Sequence, residues 1–539
     1  MKMEGSDRDR NEDDRHEAEL KPTRPTLAIM LFPTTNLQLF QAPLLQFCAY
    51  AILALTLLFL FVFRRPAHPL KAPKLLSISE NYPVLGAVRF FTARLEFFRD
   101  GIRNSASGNF CFWLGQHFIV GLSGDESRQV FFQNLSFGIA EGYAVLFGGG
   151  PRVKNDKGSD VAQEPGFLSY FARRVTHLLR REYLAKNIRP FIHDIQARLD
   201  ELPSQTGMTD PFVSIYEIVF QLTMRMVGCA EIANDTARLR KTLRLFETIE
   251  QSTTPTSIIF PWMPTLALFK RTIAGGRLYR LFKGIMDDRK KTGRREDDAL
   301  QYLMDMGDNI KSVIQFIVGA VFAGQLNTGI NASFMLTYIG SSRYWYDRVR
   351  AEIDAVVYKY APDRSMPLTQ RFEAIPIEAW ESEFPLLDCC LKDSIRLQLL
   401  GTMYRRHVGI GDVKVGNEVI PSGAFVTYHF SDVHQDPSIY SEPLKWDPSR
   451  YFPERAEDKT KPFCWLGWGA GRHPCLGTRF AKLEQFLIVA IFLTRFDYDT
   501  CDDKGVPYDA VPPPDLNAHA ATKPTALIRL RYRPRELKM

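Results

Sequence analysis

At 539 residues, with 45% hydrophobic and 12% aromatic side chains, the chain has the material for a large buried core, and no short internal repeat runs through it. Its net charge of +7 does not point to nucleic acid, because the densest basic run, Arg289, Lys290, Lys291, Arg294 and Arg295, stands beside Glu296, Asp297 and Asp298 and reads as a solvated surface loop. Eight scattered cysteines form no CxxC pair, which excludes a zinc module and suits a reducing cytosol, and no HExxH occurs.

Residues 1–24 mix six basic with eight acidic side chains and read as a disordered tail. Pro25 to Phe63 carries no charge, and Leu44 to Phe63 is long enough to span a bilayer as a helix, which takes about 20 apolar residues. Arg64, Arg65, Lys71 and Lys74 follow with no acid before Glu80, so the excess of cations places the remainder of the chain in the cytosol. A cleaved signal peptide would need small residues where this chain has Phe63, Arg64, Arg65 and Pro66. The expected organisation is a tail over 1–43, a transmembrane helix over 44–63, a proline-stiffened linker over 64–76 and one main domain over 77–539.

Within that domain, Phe110 to Leu114 and His117 to Leu122 flank Gly115-Gln116 as a hairpin does. Gly148, Gly149, Gly150 and Pro151 open a polar loop to about Gly166, and without a following GK[ST] it is no phosphate cradle. Arg173, Arg174, His177, Arg180 and Arg181 crowd one helix. Val313 to Ile339 is an apolar run expected to form a helix buried on nearly all sides, interrupted by Ala323, Gly324, Gln325, Leu326, Asn327 and Thr328. A second helix, about Leu386 to Leu400, carries the adjacent cysteines 389 and 390 and sets Asp393 and Arg396 three apart, on one face, where they can pair. Prolines 437, 443 and 448 then exclude a continuous helix between His434 and Arg450.

The most informative segment runs from Trp468 to Gly477. Glycines 469 and 471 permit a tight turn that presents Cys475 just before an apolar helix, the way a thiolate is offered to haem iron. Here the chain resembles the cytochrome P450 family, and its GAGRHPCLG loop is most similar to that of the sterol demethylase group and its relatives. One departure is Leu466, where the family commonly has an aromatic residue.

The resemblance implies a mainly α fold with a smaller β-rich part, haem b ligated by Cys475, and a haem-binding set of Gly469, Gly471, Arg472, His473 and Gly477. Arg405 or Arg406 would face a propionate, and sequence does not choose between them. It also implies a structural network of Asp393, Arg396 and Arg450 in place of the family's Glu-x-x-Arg and its downstream arginine, with Asp shortening the reach by one methylene. Lys461, Arg472, Arg479 and Lys482 would offer a positive face to NADPH-cytochrome P450 reductase.

On the apolar helix the family's oxygenases place an acid and then a threonine after Ala-Gly-x, whereas this chain has Leu326 and Asn327, followed by Thr328. Asparagine can hold water by hydrogen bonds, and leucine cannot carry a proton. Asn327 and Thr328 are the candidate catalytic residues. The implied function is a membrane-anchored monooxygenase at the endoplasmic reticulum, facing the cytosol, oxidising an apolar sterol, terpenoid or other secondary metabolite with O2 and NADPH-derived electrons. Isomerisation or dehydration of a lipid peroxide, without a reductase, and a non-catalytic haem sensor or carrier are the alternatives.

Overall fold

The computed structural model describes residues 46–54, 56–57, 65–147 and 166–535. Residues 46–54 and 56–57 are helical, and Phe47, Tyr50, Ile52, Leu53 and Leu57 are exposed. They belong to a unit that ends at Arg64, separate from the unit that begins at Arg65. The tail, the rest of the expected span and the loop from Gly148 to 165 lie outside the described residues.

Among the helices are, in chain order, α1 (Arg94–Arg103), α2 (Gly124–Gln133), α3 (Ile139–Leu146), α4 (Phe167–Leu178), α5 (Pro211–Val227), α6 (Leu266–Thr292), α7 (Ile310–Ser341), α8 (Pro385–Gln398) and α9 (Thr478–Arg495). Asn309 caps α7 by accepting from the Ser312 amide at 3.0 Å, which satisfies one of the donors a helix start leaves free. The only charge on α7 is Lys311, in its first turn. The helix is long and apolar enough to cross a membrane, but 72% of its most apolar stretch is buried in the protein by its neighbours, α5 above all, so it is a core helix. Gly329 permits that packing, since a Cβ there would lie 2.5 Å from the Tyr216 ring.

Among the described residues, thirteen short strands make up the smaller part. The largest sheet holds β1 (Lys74–Leu75), β2 (Phe110–Leu114), β3 (His117–Leu122), β4 (Phe137–Gly138), β6 (Thr402–His407) and β9 (Phe425–His429), in the order β1-β2-β3-β9-β6-β4. The expected hairpin is β2-β3, antiparallel, with Gly115 in the left-handed region. A second sheet joins β5 (Gly207–Thr209), β12 (Phe496–Cys501) and β13 (Arg529–Pro534), while β7 (Val413–Val415) pairs with β8 (Glu418–Ile420) and β10 (Gly469–Ala470) with β11 (His473–Pro474). The linker expected over 64–76 is tied to two sheets: β1 pairs with β2 in the largest, and the Lys71 carbonyl accepts from the Val419 amide of β8 at 2.8 Å.

One sequence expectation fails. Arg289 is not in a solvated loop but in the last turn of α6, fully buried, with its guanidinium donating to Glu231 and Asp298, each at 2.8 Å. The planar fork of arginine can serve two carboxylates at once; Asp298 belongs to the neighbouring acidic run, and Glu231 arrives from 58 positions away. Lys290, Lys291, Arg294 and Arg295 are exposed as expected.

Candidate active site

The cysteine loop is a miniature hairpin. Gly469 and Gly471 both adopt positive φ, +69° and +59°, and β10 turns back on β11 so that Ala470 faces His473. At Gly471 a Cβ would lie 2.3 Å from the Phe132 carbonyl, so the loop sits against the end of α2 only because glycine stands there. The Arg472 amide donates to the same carbonyl at 3.1 Å, and the Cys475 amide closes the turn onto Trp468 at 2.7 Å. α9 starts three residues later. Cys475 is exposed, unlike Cys111, Cys229, Cys390, Cys464 and Cys501, which are buried.

Its thiol opens on a cavity of about 310 Å³ whose wall includes Ala323, Asn327 and Thr328 of α7, together with Trp468 and Gly477. Ala323 and Asn327 are exposed to this space, while Leu326 is buried. A second cavity, about 470 Å³, shares Ala323 and Asn327 and is walled by aromatic side chains that include Tyr143, Phe147, Phe167, Phe322 and Phe430. His519 also lines it, and burial, then the Arg94 charge, lowers its pKa to about 4, leaving the imidazole neutral.

Adjacent residues on β6 point to opposite faces, which separates the two candidate arginines. Arg406 is exposed, with its guanidinium 5.3 Å from the Phe425 ring. Arg405 is 3% exposed, lies 4.9 Å over the Phe131 ring, donates only to the Tyr404 carbonyl and leaves Nε without a partner. Burial lowers its pKa. His473 is close enough to feel that charge: burial first, then Arg405 and Arg472, lower its pKa. A buried guanidinium without a carboxylate is costly, so this corner fits an anionic group such as a haem propionate.

Beneath the loop, Asp393 and Arg396 are both buried and joined at 2.7 Å. Asp393 also accepts from the Asp447 amide at 2.6 Å and the Tyr451 hydroxyl at 3.1 Å, and Arg396 donates to the carbonyls of His434 and Lys445 at 2.9 and 3.1 Å. Arg450 stands 3.8 Å from Asp393, while its nearer carboxylate is Glu457 at 3.0 Å. The shorter aspartate holds the intrahelical arginine, and Glu457 takes up the second. Sequence reading missed Glu457, whose only signal was a lone acid seven residues after Arg450. His434 ties the proline-rich segment to the loop: its Nε2 accepts from the Leu466 amide at 3.0 Å, and burial, then Arg396, lowers its pKa to about 3.

The expected positive face is largely neutralised. Lys461 pairs with Asp125 at 3.0 Å, Arg479 with Glu381 at 2.9 Å and Lys482 with Asp388 at 2.6 Å, while the Arg472 guanidinium donates to the Asn134 carbonyl. The five residues expected on one helix are split between two. Arg173, Arg174 and His177 lie on α4, where Arg174 is committed to Asp308 at 2.7 Å and His177 stacks on Tyr302 at 4.4 Å. The chain turns at Leu179, and Arg180 caps the next helix, Arg181–Asp200, from which Arg181 pairs with Glu381 at 2.6 Å.

The family model of cytochrome P450 matches residues 94–520. The chain is a cytochrome P450. It is 33% identical to the cytochrome P450 monooxygenase AacuE of Aspergillus aculeatus over 84% of this chain and 92% of that one, and 32% identical to the monooxygenase nsrP of Aspergillus novofumigatus over 84% and 89%. Obtusifoliol 14-alpha demethylase of Sorghum bicolor is 26% identical over 65% of this chain and 69% of its own. A retinoic acid-bound cyanobacterial CYP120A1 shares the fold, with a TM-score of 0.68 at 18% identity, covering 87% of this chain and all of its own. The P450 is therefore an oxidoreductase of the monooxygenase family, mainly helical with a smaller sheet part, and its cofactor is cysteine-ligated haem.

Proposed function

We propose that this P450 is a membrane-anchored monooxygenase that oxidises an apolar small molecule, a sterol, terpenoid or other secondary metabolite, with O2 and electrons from NADPH through a P450 reductase. The observation that carries the reading is the thiol of Cys475 opening on a cavity whose other wall is Ala323, Asn327 and Thr328. Haem bound there would supply oxygen activation, with Cys475 as the residue that would hold its iron. Arg405 and His473 would meet the propionates, with Gly469, Gly471, Arg472 and Gly477 shaping the loop around the group; Arg406, on the exposed face of β6, is not included. Asp393, Arg396 and Arg450 hold the structure and take no part in the chemistry.

Asn327 borders both cavities and makes no hydrogen bond within the described protein, so its amide is free to hold water between the cofactor and the substrate. The aromatic walls of the second cavity support a largely apolar substrate. The charge-free stretch ending at Phe63, with exposed apolar side chains on its described helical part, supports an anchor over 44–63, single-pass, with the domain in the cytosol at the endoplasmic reticulum.

Replacing Cys475 with alanine tests the core of this reading: the red-shifted Soret band of the ferrous carbon monoxide complex should vanish. Its survival would overturn the ligand assignment. Comparing metabolites of a strain with and without the gene, then demanding NADPH for the product, separates oxygenation from isomerisation of a lipid peroxide. Persistence of the full-length chain in membranes after alkaline carbonate is expected, and its release would remove the anchor.

A further inference from the structure

The helix Thr236–Gln251 packs against α6, and both helices keep their cations apart from their acids. The first carries Arg238, Arg240, Lys241 and Arg244 before its first acid, Glu247, and α6 carries Lys270, Arg271, Arg277, Arg280 and Lys283 before Asp287. Between them lies a groove of about 880 Å³. Arg238 and Lys241 line it from one helix and Arg277 and Arg280 from the other, with Ala237, Leu245 and Leu281 as its apolar part, and no carboxylate lines it. Spacings of three and four residues put Arg238, Lys241 and Leu245 on one helix face, and Arg277, Arg280 and Leu281 on another.

A cationic helix face is ordinarily laced with acids three or four residues away, which neutralise it in water. That reading fails here. Positions three and four to either side of Lys241, Arg277 and Arg280 hold no acid. Arg280 donates to the Gly276 carbonyl of its own helix at 3.3 Å, and Lys241 and Arg277 enter no ion pair among the described residues. Arg238 has Asp235 at 3.7 Å, an exposed pair that water screens. Arg240, which does not line the groove, is by contrast neutralised by Glu217 at 3.0 Å and Glu201 at 2.8 Å.

Like charges round one concavity repel each other and focus their field into it, so an anion placed there gains from all of them. A single carboxylate would answer one charge of the four. A phosphate ester brings about two charges and several oxygens that match the paired N–H donors of an arginine fork. The Thr242 hydroxyl is taken by the Arg238 carbonyl at 2.8 Å, so recognition falls to the cations. The groove is larger than one small ion fills, and its apolar side chains suit an organic part.

We propose that this groove binds a ligand carrying more than one phosphate group, held between Arg238 and Lys241 on one side and Arg277 and Arg280 on the other. A soluble diphosphate ester and the headgroup of a phosphorylated inositol lipid present that same chemistry. The site shares no lining residue with the Cys475 cavity and stands independently of the reaction at the haem. Its occupation clamps the two helices together.

The test compares the full-length holoenzyme with a groove variant, Lys241→Gln with Arg277→Gln, and with a control that loses the same charge at exposed residues outside the groove, Lys290→Gln with Lys291→Gln. In neutral detergent at matched ionic strength, inorganic pyrophosphate should raise the melting temperature of the native protein and the control by several degrees and leave the groove variant unmoved. In phosphatidylcholine bilayer discs, added phosphatidylinositol bisphosphate should slow amide hydrogen exchange over 237–245 and 277–281 in the native protein and the control alone. A response to pyrophosphate without one in discs assigns a soluble ligand, and a response in discs assigns the lipid headgroup. No response in either, or an equal response from the groove variant, overturns the site. Should the groove variant fail to hold haem, the native protein decides: protection by either probe must fall on 237–245 and 277–281, and protection confined to other segments overturns the proposal.

Discussion

Two carboxyl groups among the described residues of this P450 are completely buried, and they are opposites. Asp393 is enclosed by charge and donors: Arg396 at 2.7 Å, the Asp447 amide, the Tyr451 hydroxyl and, further off, Arg450. Glu484, on α9 at the wall of the Cys475 cavity, has no cation and no completed hydrogen bond. Equal burial therefore carries opposite meanings. A carboxylate whose lone pairs are all claimed fixes the segments that claim them, here α8, the proline-rich stretch and the base of the cysteine loop. An acid left unclaimed beside a cavity keeps its proton, because nothing there offsets the desolvation of its charge.

The contrast breaks most sharply at Arg396. Removing one member of a buried ion network strands the other, at a cost of roughly 3 to 5 kcal/mol, so Arg396→Ala should lose soluble yield and haem content together. A haem-replete Arg396→Ala that was merely slow would contradict the structural role. Glu457→Gln should cost less, about 1 to 3 kcal/mol, because Arg450 keeps the Glu442 and Lys445 carbonyls. Against the cost of burial, hydrogen bonds from Arg455 and Arg450 hold the Glu457 carboxyl below its ordinary value. Its stabilisation is present above the unfolded value and lost as pH falls through the folded one, so acid denaturation curves of Glu457→Gln should lack that component.

The anion corner sharpens the comparison from the cation side. Arg405→Met should lower haem per protein several-fold at limiting haem, whereas Arg406→Ala should match the native protein; equal loss from both would remove the distinction that burial draws on β6. For Glu484 the sign reverses relative to Glu457. A carboxyl whose pKa is raised in the fold contributes most below its unfolded value, near 4.5, and loses stability as pH rises above it. Glu484→Gln should accordingly unfold at a higher temperature than the native protein at neutral pH, with the gap closing toward pH 4.5. A lower melting temperature for Glu484→Gln at neutral pH would mean that the carboxyl has partners the fold depends on.

Asn327→Ala gives the smallest effect on stability, within about 0.5 kcal/mol, because the side chain bonds to nothing in the described protein. Its effect should appear in use of electrons: haem and substrate affinity retained, product per NADPH lowered. Unchanged coupling with a large loss of substrate affinity would make Asn327 a residue of the substrate cavity instead.

Much of this was legible along the chain because it depends on neighbours in sequence. The Gly469 and Gly471 turn, the pairing of Asp393 with Arg396 one helical turn apart, the β2-β3 hairpin and the buried character of α7 each follow from local geometry or periodicity. What stayed hidden depends on which distant segment arrives beside a residue. The different burial of Arg405 and Arg406 needed the layer packed on one face of β6, and the burial of Arg289 needed Glu231, 58 positions away, to join the nearby Asp298. The paired state of Lys461, Arg479 and Lys482 needed acids 336, 98 and 94 positions away in the chain. Glu484 looked like any charged residue on a helix until α5 and α7 enclosed it. Sequence by itself determined the family, the cysteine and the strong local pairs, since those are set by backbone geometry over a few residues. Tertiary structure alone decided which charges are satisfied and which are left over, because desolvation depends on everything that closes around a group and not on the residues beside it in the chain.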